Sequence, residues 1–333
     1  MSADSRPARP ALRSTTGPAG TRLLGFGSEQ GNRVVTNDDI AASGVDTSDE
    51  WIRQRVGIIE RRLADPDQTL VDMGVAAGSK ALADAGLTPA EVDTVLVATC
   101  TMPGNIPNAA AQTADRIGIT SPAAFDLNAA CAGFSYSLMV ATDLIKGGSA
   151  GRVLVIGAER FTEWLDWQDR GNCIIFGDGA GAAVVGPSDE PLIGPVYWGS
   201  SGDLVDLIGL REQRYIYQEG QSVFRWATTQ IAPIAEQAVF AAGLTLADID
   251  VLVPHQANLR IVELIAKKLR ARGARQDMVV ADDIQYSGNT SSASIPMAID
   301  HMRAAGRICS GQVMLMVGFG AGLSYAGQVA ICP

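Results

Sequence analysis

The sequence predicts an α/β protein built from two related halves, and two internal similarities carry that prediction. Gly86 onward reads GLTPAEVDTVLVA and Gly243 onward reads GLTLADIDVLVPH; each is a helix end, a turn, an Asp and an apolar strand. Gly177 onward reads GDGAGAAVV and Gly318 onward reads GFGAGLSYA, and each reads as the glycine-rich lead-in to an apolar strand. Two similarities in the same order indicate a duplicated unit, with halves at residues 21–186 and 187–333. A chain of 333 residues with 47% hydrophobic content and 36 Gly has the length and composition for it.

In chain order, residues 1–20 are rich in Ser, Pro, Arg and Ala, lack an apolar core segment and read as a disordered leader. Order is expected from Thr21, with the strand-like TRLLGFGS. Thr47 to Arg62, TSDEWIRQRVGIIERR, opens on a capping signal and sets Trp51 among arginines. It is either an amphipathic surface helix or a stacking and phosphate-binding platform. Residues 123–148, AAFDLNAACAGFSYSLMVATDLIKGG, give a short strand, then a run of small residues, then a helix. The helix has apolar Phe134, Leu138, Ala141 and Ile145 and stops at Gly147-Gly148. Cys131 therefore sits where a strand turns into a helix. Free backbone N–H groups there are expected to lower a thiol's pKa. The bland alternative is a buried packing cysteine. From Asn258 to Gln276 the chain turns basic, with Arg260, Lys267, Lys268, Arg270, Arg272 and Arg275 against Glu263. That stretch is either a solvated helix face or a dock for an acidic partner.

The duplication also aligns candidate chemistry. The gapless match sets His255 opposite Ala98, and a one-residue shift sets Asn289 opposite Cys131. Halves packed about a pseudo-twofold axis would bring Cys131, His255 and Asn289 together. His301 reads as structural or solvent-facing. Cys100, Cys173, Cys309 and Cys332 read as packing residues.

Other function classes are disfavoured. A formal net charge of −10 argues against nucleic acid. No apolar run reaches the length of a membrane span. Five scattered cysteines without CxxC spacing fit a reducing, cytoplasmic compartment and supply neither a disulfide framework nor a metal site. Gly177, Gly179 and Gly181 are too tightly spaced for GxGxxG, which weakens a Rossmann oxidoreductase.

At Cys131, His255 and Asn289 the sequence resembles the β-ketoacyl-acyl-carrier-protein synthase III family of thiolase-superfamily condensing enzymes. The motifs are TSDEWI at Thr47, DLNAACAGF at Asp126, FGDGAGAAV at Phe176, VPHQANLRI at Val253, GNTSSASIP at Gly288 and GFGAGLSYA at Gly318. They span nearly the whole chain after the leader. The resemblance implies a five-layered αβαβα thiolase fold, a homodimer, and condensation of an acyl-CoA primer with malonyl-acyl-carrier protein. No cofactor is implied, since acyl-CoA is a substrate. Cys131 would accept the acyl group, and His255 and Asn289 would sit beside the carbanion formed on decarboxylation. Backbone N–H groups of Cys131 and Ala321 would form the oxyanion hole. Trp51 and Arg170 would hold the coenzyme A adenine, with Arg55 and Asn258 further along the tunnel and Phe176 and Phe224 also binding substrate. Gln256, Ala257, Asn258, Leu259 and Arg260, with Arg225, Lys267 and Lys268, would form the carrier-protein docking surface. Ile106 would reach the partner subunit's acyl pocket. Acetyl-selective members carry an aromatic at the Ile106 position, and the loop between Trp198 and Phe224 is shorter than in the members compared.

The residue types suit this chemistry. Thioester acyl groups transfer well to a thiolate. Neutral donors from a His and an Asn stabilise enolate charge, and an Asn at 289 rather than a second His points to a coenzyme A-primed, initiating enzyme. The rivals are a starter-unit ketosynthase or acyltransferase of secondary metabolism, a non-catalytic carrier-binding module, and a cysteine hydrolase using Cys131, His255 and Asn289. The hydrolase lacks its C-G-S-C-W type signature here. A degradative thiolase would need a second Cys between Gly318 and Leu323, and none is present.

Overall fold

The computed structural model describes residues 12–104, 106–212 and 214–333. The first half runs β1 (Gly20–Gln30), β2 (Arg33–Thr36), α1 (Asn37–Ala42), α2 (Asp49–Val56), β3 (Glu60–Leu63), α3 (Leu70–Asp84), β4 (Thr94–Ala98), α4 (Ala109–Ile117), β5 (Ala123–Leu127), α5 (Gly133–Lys146), β6 (Val153–Arg160) and β7 (Asp178–Ser188). The second runs β8 (Tyr197–Ser200), β9 (Ile208–Arg211), β10 (Tyr215–Gln218), α6 (Gly220–Ala241), β11 (Val251–Pro254), α7 (Leu259–Ala271), β12 (Val279–Val280), α8 (Ile284–Ser287), α9 (Ser294–Ala304), β13 (Val313–Gly320) and β14 (Ser324–Ile331).

Two five-stranded sheets share one topology, ordered β1-β7-β6-β4-β5 and β12-β11-β13-β14-β8. In each, four strands run in one direction and a single strand, β7 or β14, runs against them between two of the four. Strand alternation builds the layers. Val153 and Val155 of β6 face a middle core with Phe134 and Leu138 of α5 and Ile295 and Ile299 of α9. Leu154 and Ile156 face outward onto α3 and α4. Leu252 of β11 and Leu315 of β13 likewise face α6 and α7. The order is helices, sheet, α5 with α9, sheet, helices: the five-layered thiolase arrangement.

The first internal similarity is structural. The turns Pro89–Glu91 and Leu246–Asp248 are each closed by reciprocal bonds, Thr88 with Glu91 and Thr245 with Asp248, and lead into β4 and β11. The second similarity is not an equivalence. GDGAGAAVV lies at the start of β7, whereas GFGAGLSYA spans the end of β13, the turn Ala321–Leu323 and the start of β14. Its glycines recur for different reasons. A Cβ at Gly181 would strike Met297 on α9, and one at Gly320 would strike Cys131. Of the expected leader, residues 1–11 lie outside the described residues. Residues 12–19 form no regular element but are tied to the end of α5: Thr15 Oγ1 donates to Gly147 O at 2.6 Å, and Gly17 N to Lys146 O at 3.1 Å.

Candidate active site

After β5 the chain turns tightly before α5. Asn128 Oδ1 accepts the Ala130 N–H at 3.1 Å, Ala130 takes a left-handed φ of 47°, and Cys131 follows. The second half repeats the device: Asn289 Oδ1 accepts the Ser291 N–H at 2.8 Å, Ser291 has φ 51°, and Ser292 follows. This corrects the expected alignment. Asn289 stands opposite Asn128, and Cys131 stands opposite Ser292. His255 follows directly on β11, whereas Ala98, its expected counterpart, is the last residue of β4.

Cys131, His255 and Asn289 line one cavity of about 270 Å³. Its wall is mostly apolar, with Phe161 and Phe176 stacked at 4.5 Å between ring centroids and Trp226 and Phe319 also lining it. Ala321 lines it too. A Cβ at Gly320 would lie 2.7 Å from Cys131 Cβ, so the residue 320 backbone can lie against the cysteine only as glycine.

Burial sets the charge state of the site. It pushes the His255 imidazole down to about 3, so the ring is neutral near pH 7. His255 Nδ1 lies 2.7 Å from Ser294 Oγ, which also accepts the Gln256 N–H at 3.3 Å. With the Ser294 hydroxyl donating to Nδ1, the single ring proton sits on Nε2 and is free to be donated into the cavity. Burial also pushes the Cys131 thiol up to about 12, correcting the lowering expected at a helix start. Regular helix begins only at Gly133, and loss of hydration outweighs the lowering that the Ser291 hydroxyl exerts on the thiol.

A second group of predicted residues lies outside the cavity. The Arg170 guanidinium sits 4.8 Å over the Trp51 ring and Arg55 5.6 Å from it, with Arg170 held by Asp46. Asn258 caps α7 and donates from Nδ2 to Arg55 O at 3.3 Å. Its neighbour Ala257 lines the cavity. Residues 257 and 258 thus connect the cavity wall to the Trp51 platform.

Several expectations need correction. Gln256 is buried, donates to Pro254 O at 2.7 Å and accepts the Ile284 N–H at 3.1 Å, so it is not on a docking surface. Ala257 faces the cavity and Leu259 packs against Gly57. Lys268 is half-buried and bonds Thr228 O. Arg225, Arg260 and Lys267 remain exposed. Phe224 is not in the cavity wall; it lies under Arg260, whose guanidinium is 5.3 Å from its ring, while Val223 and Trp226 line the cavity. Ile106 is 91% exposed and lines no part of its own chain's cavity. The segment between Trp198 and Phe224 is a wall: the β9–β10 hairpin contributes Ile208, Leu210 and Ile216. His301 pairs with Asp283 at 2.7 Å.

Two residues escaped the sequence reading. Cys100, expected as packing, lines the cavity, and its Sγ lies 3.4 Å from Glu159 Oε1. Glu159 is fully buried beneath the site. The available signal was an acidic residue closing the otherwise apolar run Val153–Ala158.

Comparison with known proteins matches these features. The family profile of 3-oxoacyl-acyl-carrier-protein synthase III matches residues 125–202, and that of its C-terminal part matches residues 239–331. The chain is 51% identical over 319 residues to β-ketoacyl-acyl-carrier-protein synthase III 4 of Streptomyces coelicolor, covering 94% of this chain and 99% of that one. It is 46% identical to the synthase III of Mycobacteroides abscessus, over 93% and 94%. The crystal structure of the priming β-ketosynthase from the R1128 polyketide biosynthetic pathway superposes with a TM-score of 0.92 at 42% identity, covering 97% and 99%. That of the synthase III from Aquifex aeolicus gives 0.89 at 37%, covering 94% and 100%. The cavity with its Cys, His and Asn, the two-sheet fold and the relatives on every side place this chain in the β-ketoacyl-acyl-carrier-protein synthase III family.

Proposed function

We propose that this condensing enzyme carries its acyl group on Cys131 and serves the malonyl-derived enolate with His255 and Asn289. The reaction is decarboxylative condensation of an acyl-CoA primer with malonyl-acyl-carrier protein. The Cys131 sulfur attacks the primer carbonyl, coenzyme A leaves, and the thiol proton ends on the coenzyme A sulfur. The malonyl group then loses carbon dioxide, and its enolate carbon attacks the acyl carbonyl and releases Cys131. The observation that carries this reading is that all three side chains line one largely apolar cavity. In it a neutral His255 can donate to the enolate without surrendering its proton. Trp51 and Arg170 would hold the coenzyme A adenine. Arg225, Arg260 and Lys267 would meet the acidic carrier protein. The N–H groups of Cys131 and Ala321 would receive the oxyanion.

The test separates the steps. Peptide mapping after acyl-CoA treatment should place the added mass on Cys131, and Cys131→Ser should abolish condensation. His255→Ala and Asn289→Ala should still acylate but lose malonyl decarboxylation by about two to three orders of magnitude, as for a removed oxyanion donor. Label on Cys100, or equal loss of acylation in both variants, contradicts these roles.

A homodimer is the assembly we favour. β5 is an edge strand with Phe125 exposed, an edge that pairing with a second copy would cover. Among the described residues no helix is long and apolar enough to cross a membrane, and a cytoplasmic location suits the scattered cysteines. Similarity to a priming polyketide ketosynthase favours starter-unit synthesis as the second reading. Relative kcat/KM on fatty-acid and polyketide carrier proteins distinguishes the two.

A further inference from the structure

The Glu159 carboxyl closes the floor of the site and gathers both halves of the molecule. Oε2 faces Thr99 Oγ1 at 3.2 Å, Cys100 N at 3.2 Å, Thr101 N at 3.1 Å and Thr101 Oγ1 at 2.6 Å. Oε1 faces Cys100 Sγ at 3.4 Å, Ser291 Oγ at 3.1 Å and Ser292 Oγ at 3.0 Å. Ser291 and Ser292 belong to the turn that positions Asn289, and the Ser291 hydroxyl acts to lower the Cys131 thiol.

A proton inventory decides the state of this carboxyl. The Ser292 hydroxyl has one proton, and its shorter contact, 2.8 Å, is to Ala98 O, which can only accept. The contact between Ser292 Oγ and Glu159 Oε1 is then a hydrogen bond only if Oε1 carries the proton. Burial acts in the same direction, raising the Glu159 pKa. The titratable groups facing it are Cys100, after β4, and Cys131, before α5. Gly179 of β7 lies opposite. Arg160 turns away, to Asp65 O and Glu163. Among the described residues no cation therefore offsets a charge on Glu159.

We propose that Glu159 works as an un-ionised carboxylic acid that locks the Cys131 and Asn289 turns together, and that loss of its proton sets an alkaline limit on malonyl decarboxylation. When the O–H bond breaks, the proton leaves to solvent. Ser292 must then turn its own proton from Ala98 O to the new carboxylate, breaking the bond that ties this turn to β4 and loosening the Asn289 turn. The carboxylate also places a negative charge beneath the forming enolate. Glu159 touches no substrate atom in this account; it is a positioning residue. The argument for decarboxylation rests on Asn289 serving the enolate, whereas the protonation state does not.

Infrared spectra of the whole protein carrying carbon-13-labelled glutamate test it. At neutral pH one protonated carboxyl stretch should shift with the label, which excludes Asp178, and should be absent in Glu159→Gln. With Cys131 acylated beforehand, so that its own titration drops out, wild-type decarboxylation should fall at high pH together with that band. The fall should be about tenfold per pH unit once the group has titrated. In Glu159→Gln the amide still donates to Ser292 and has no proton to lose, so the alkaline fall should vanish while neutral activity persists. A wild-type spectrum without a protonated glutamate band at neutral pH overturns the proposal, as does the same alkaline fall in the Gln variant. Should that variant not fold, the wild-type band and its titration decide. Undiminished decarboxylation in Asn289→Ala would instead overturn the enolate assignment and leave the band untouched.

Discussion

His255 Nδ1 and the Ser294 hydroxyl, 2.7 Å apart, decide which nitrogen of the ring faces the cavity. The hydroxyl also receives the Gln256 N–H, and Nδ1 is the acceptor within reach of its own proton. The proton left on Nε2 is then available to the cavity, where the proposed mechanism would form its enolate oxygen.

Ser294→Ala should therefore slow decarboxylation and spare acylation. A buried ring nitrogen left unsatisfied costs about 1–3 kcal/mol, which is about 5- to 160-fold in rate. Ser294→Thr should recover most of the loss. Single-turnover acylation and decarboxylation, measured separately, check this; equal loss in both would make Ser294 a packing residue.

Acid stability should depend on the same ring. Unfolded His255 takes a proton below about 6.5, whereas folded His255 takes one only near 3. Its contribution is full above the unfolded value and is lost as pH falls toward the folded one, by about 1.4 kcal/mol for each pH unit. His301 runs the other way: although burial opposes it, Asp283 raises its pKa, so its contribution is present at low pH and lost as pH rises through the folded value. Urea midpoints of wild type and His255→Gln across the acid range provide the check. The Gln variant should lose less stability on acidification, and parallel curves would contradict the claim.

Docking should depend on Arg225, Arg260 and Lys267, the basic side chains left exposed on α6 and α7. Reversing charge at Arg260 and Lys267 should raise the apparent KM for malonyl-carrier protein and leave acyl-CoA use nearly unchanged. The difference should shrink with added salt, since the Debye length is about 8 Å near physiological ionic strength. Gln256→Ala should instead destabilise the fold, because it strips partners from Pro254 O and the Ile284 N–H. A carrier-protein KM insensitive to charge reversal would leave this an ordinary solvated face.

Primer choice should respond to Ile106. Its exposure on its own chain suits a residue that reaches a partner's pocket. An aliphatic side chain in place of an aromatic leaves room for longer primers, at about 0.8 kcal/mol per extra buried CH₂. Isobutyryl-CoA and butyryl-CoA should compete with or exceed acetyl-CoA, and Ile106→Phe should shift preference back toward acetyl-CoA. Comparing kcat/KM for the three primers in both proteins decides it. Identical preferences would move the pocket floor to Phe161 and Phe176.

What the sequence determined by itself is local. Cys131 lies at a strand-to-helix turn, α2 starts at a capped helix end beside Trp51, and the Thr88 and Thr245 turns repeat, because each depends on residues within one short window. The tertiary structure decided what depends on residues far apart in the chain. The Cys131 thiol is raised because residues from both halves strip it of water, which outweighs the helix start a few residues on. Gln256 is buried because α8 packs over it, although its flanking residues read as surface. Asn289 matches Asn128, a pairing set by turn geometry and displaced from the one-residue shift that sequence alignment suggested. Glu159 reads as a stray acid at a strand end until β4 and the Ser291–Ser292 turn close around it, because a hydrogen-bond network exists only once the segments that share it are packed.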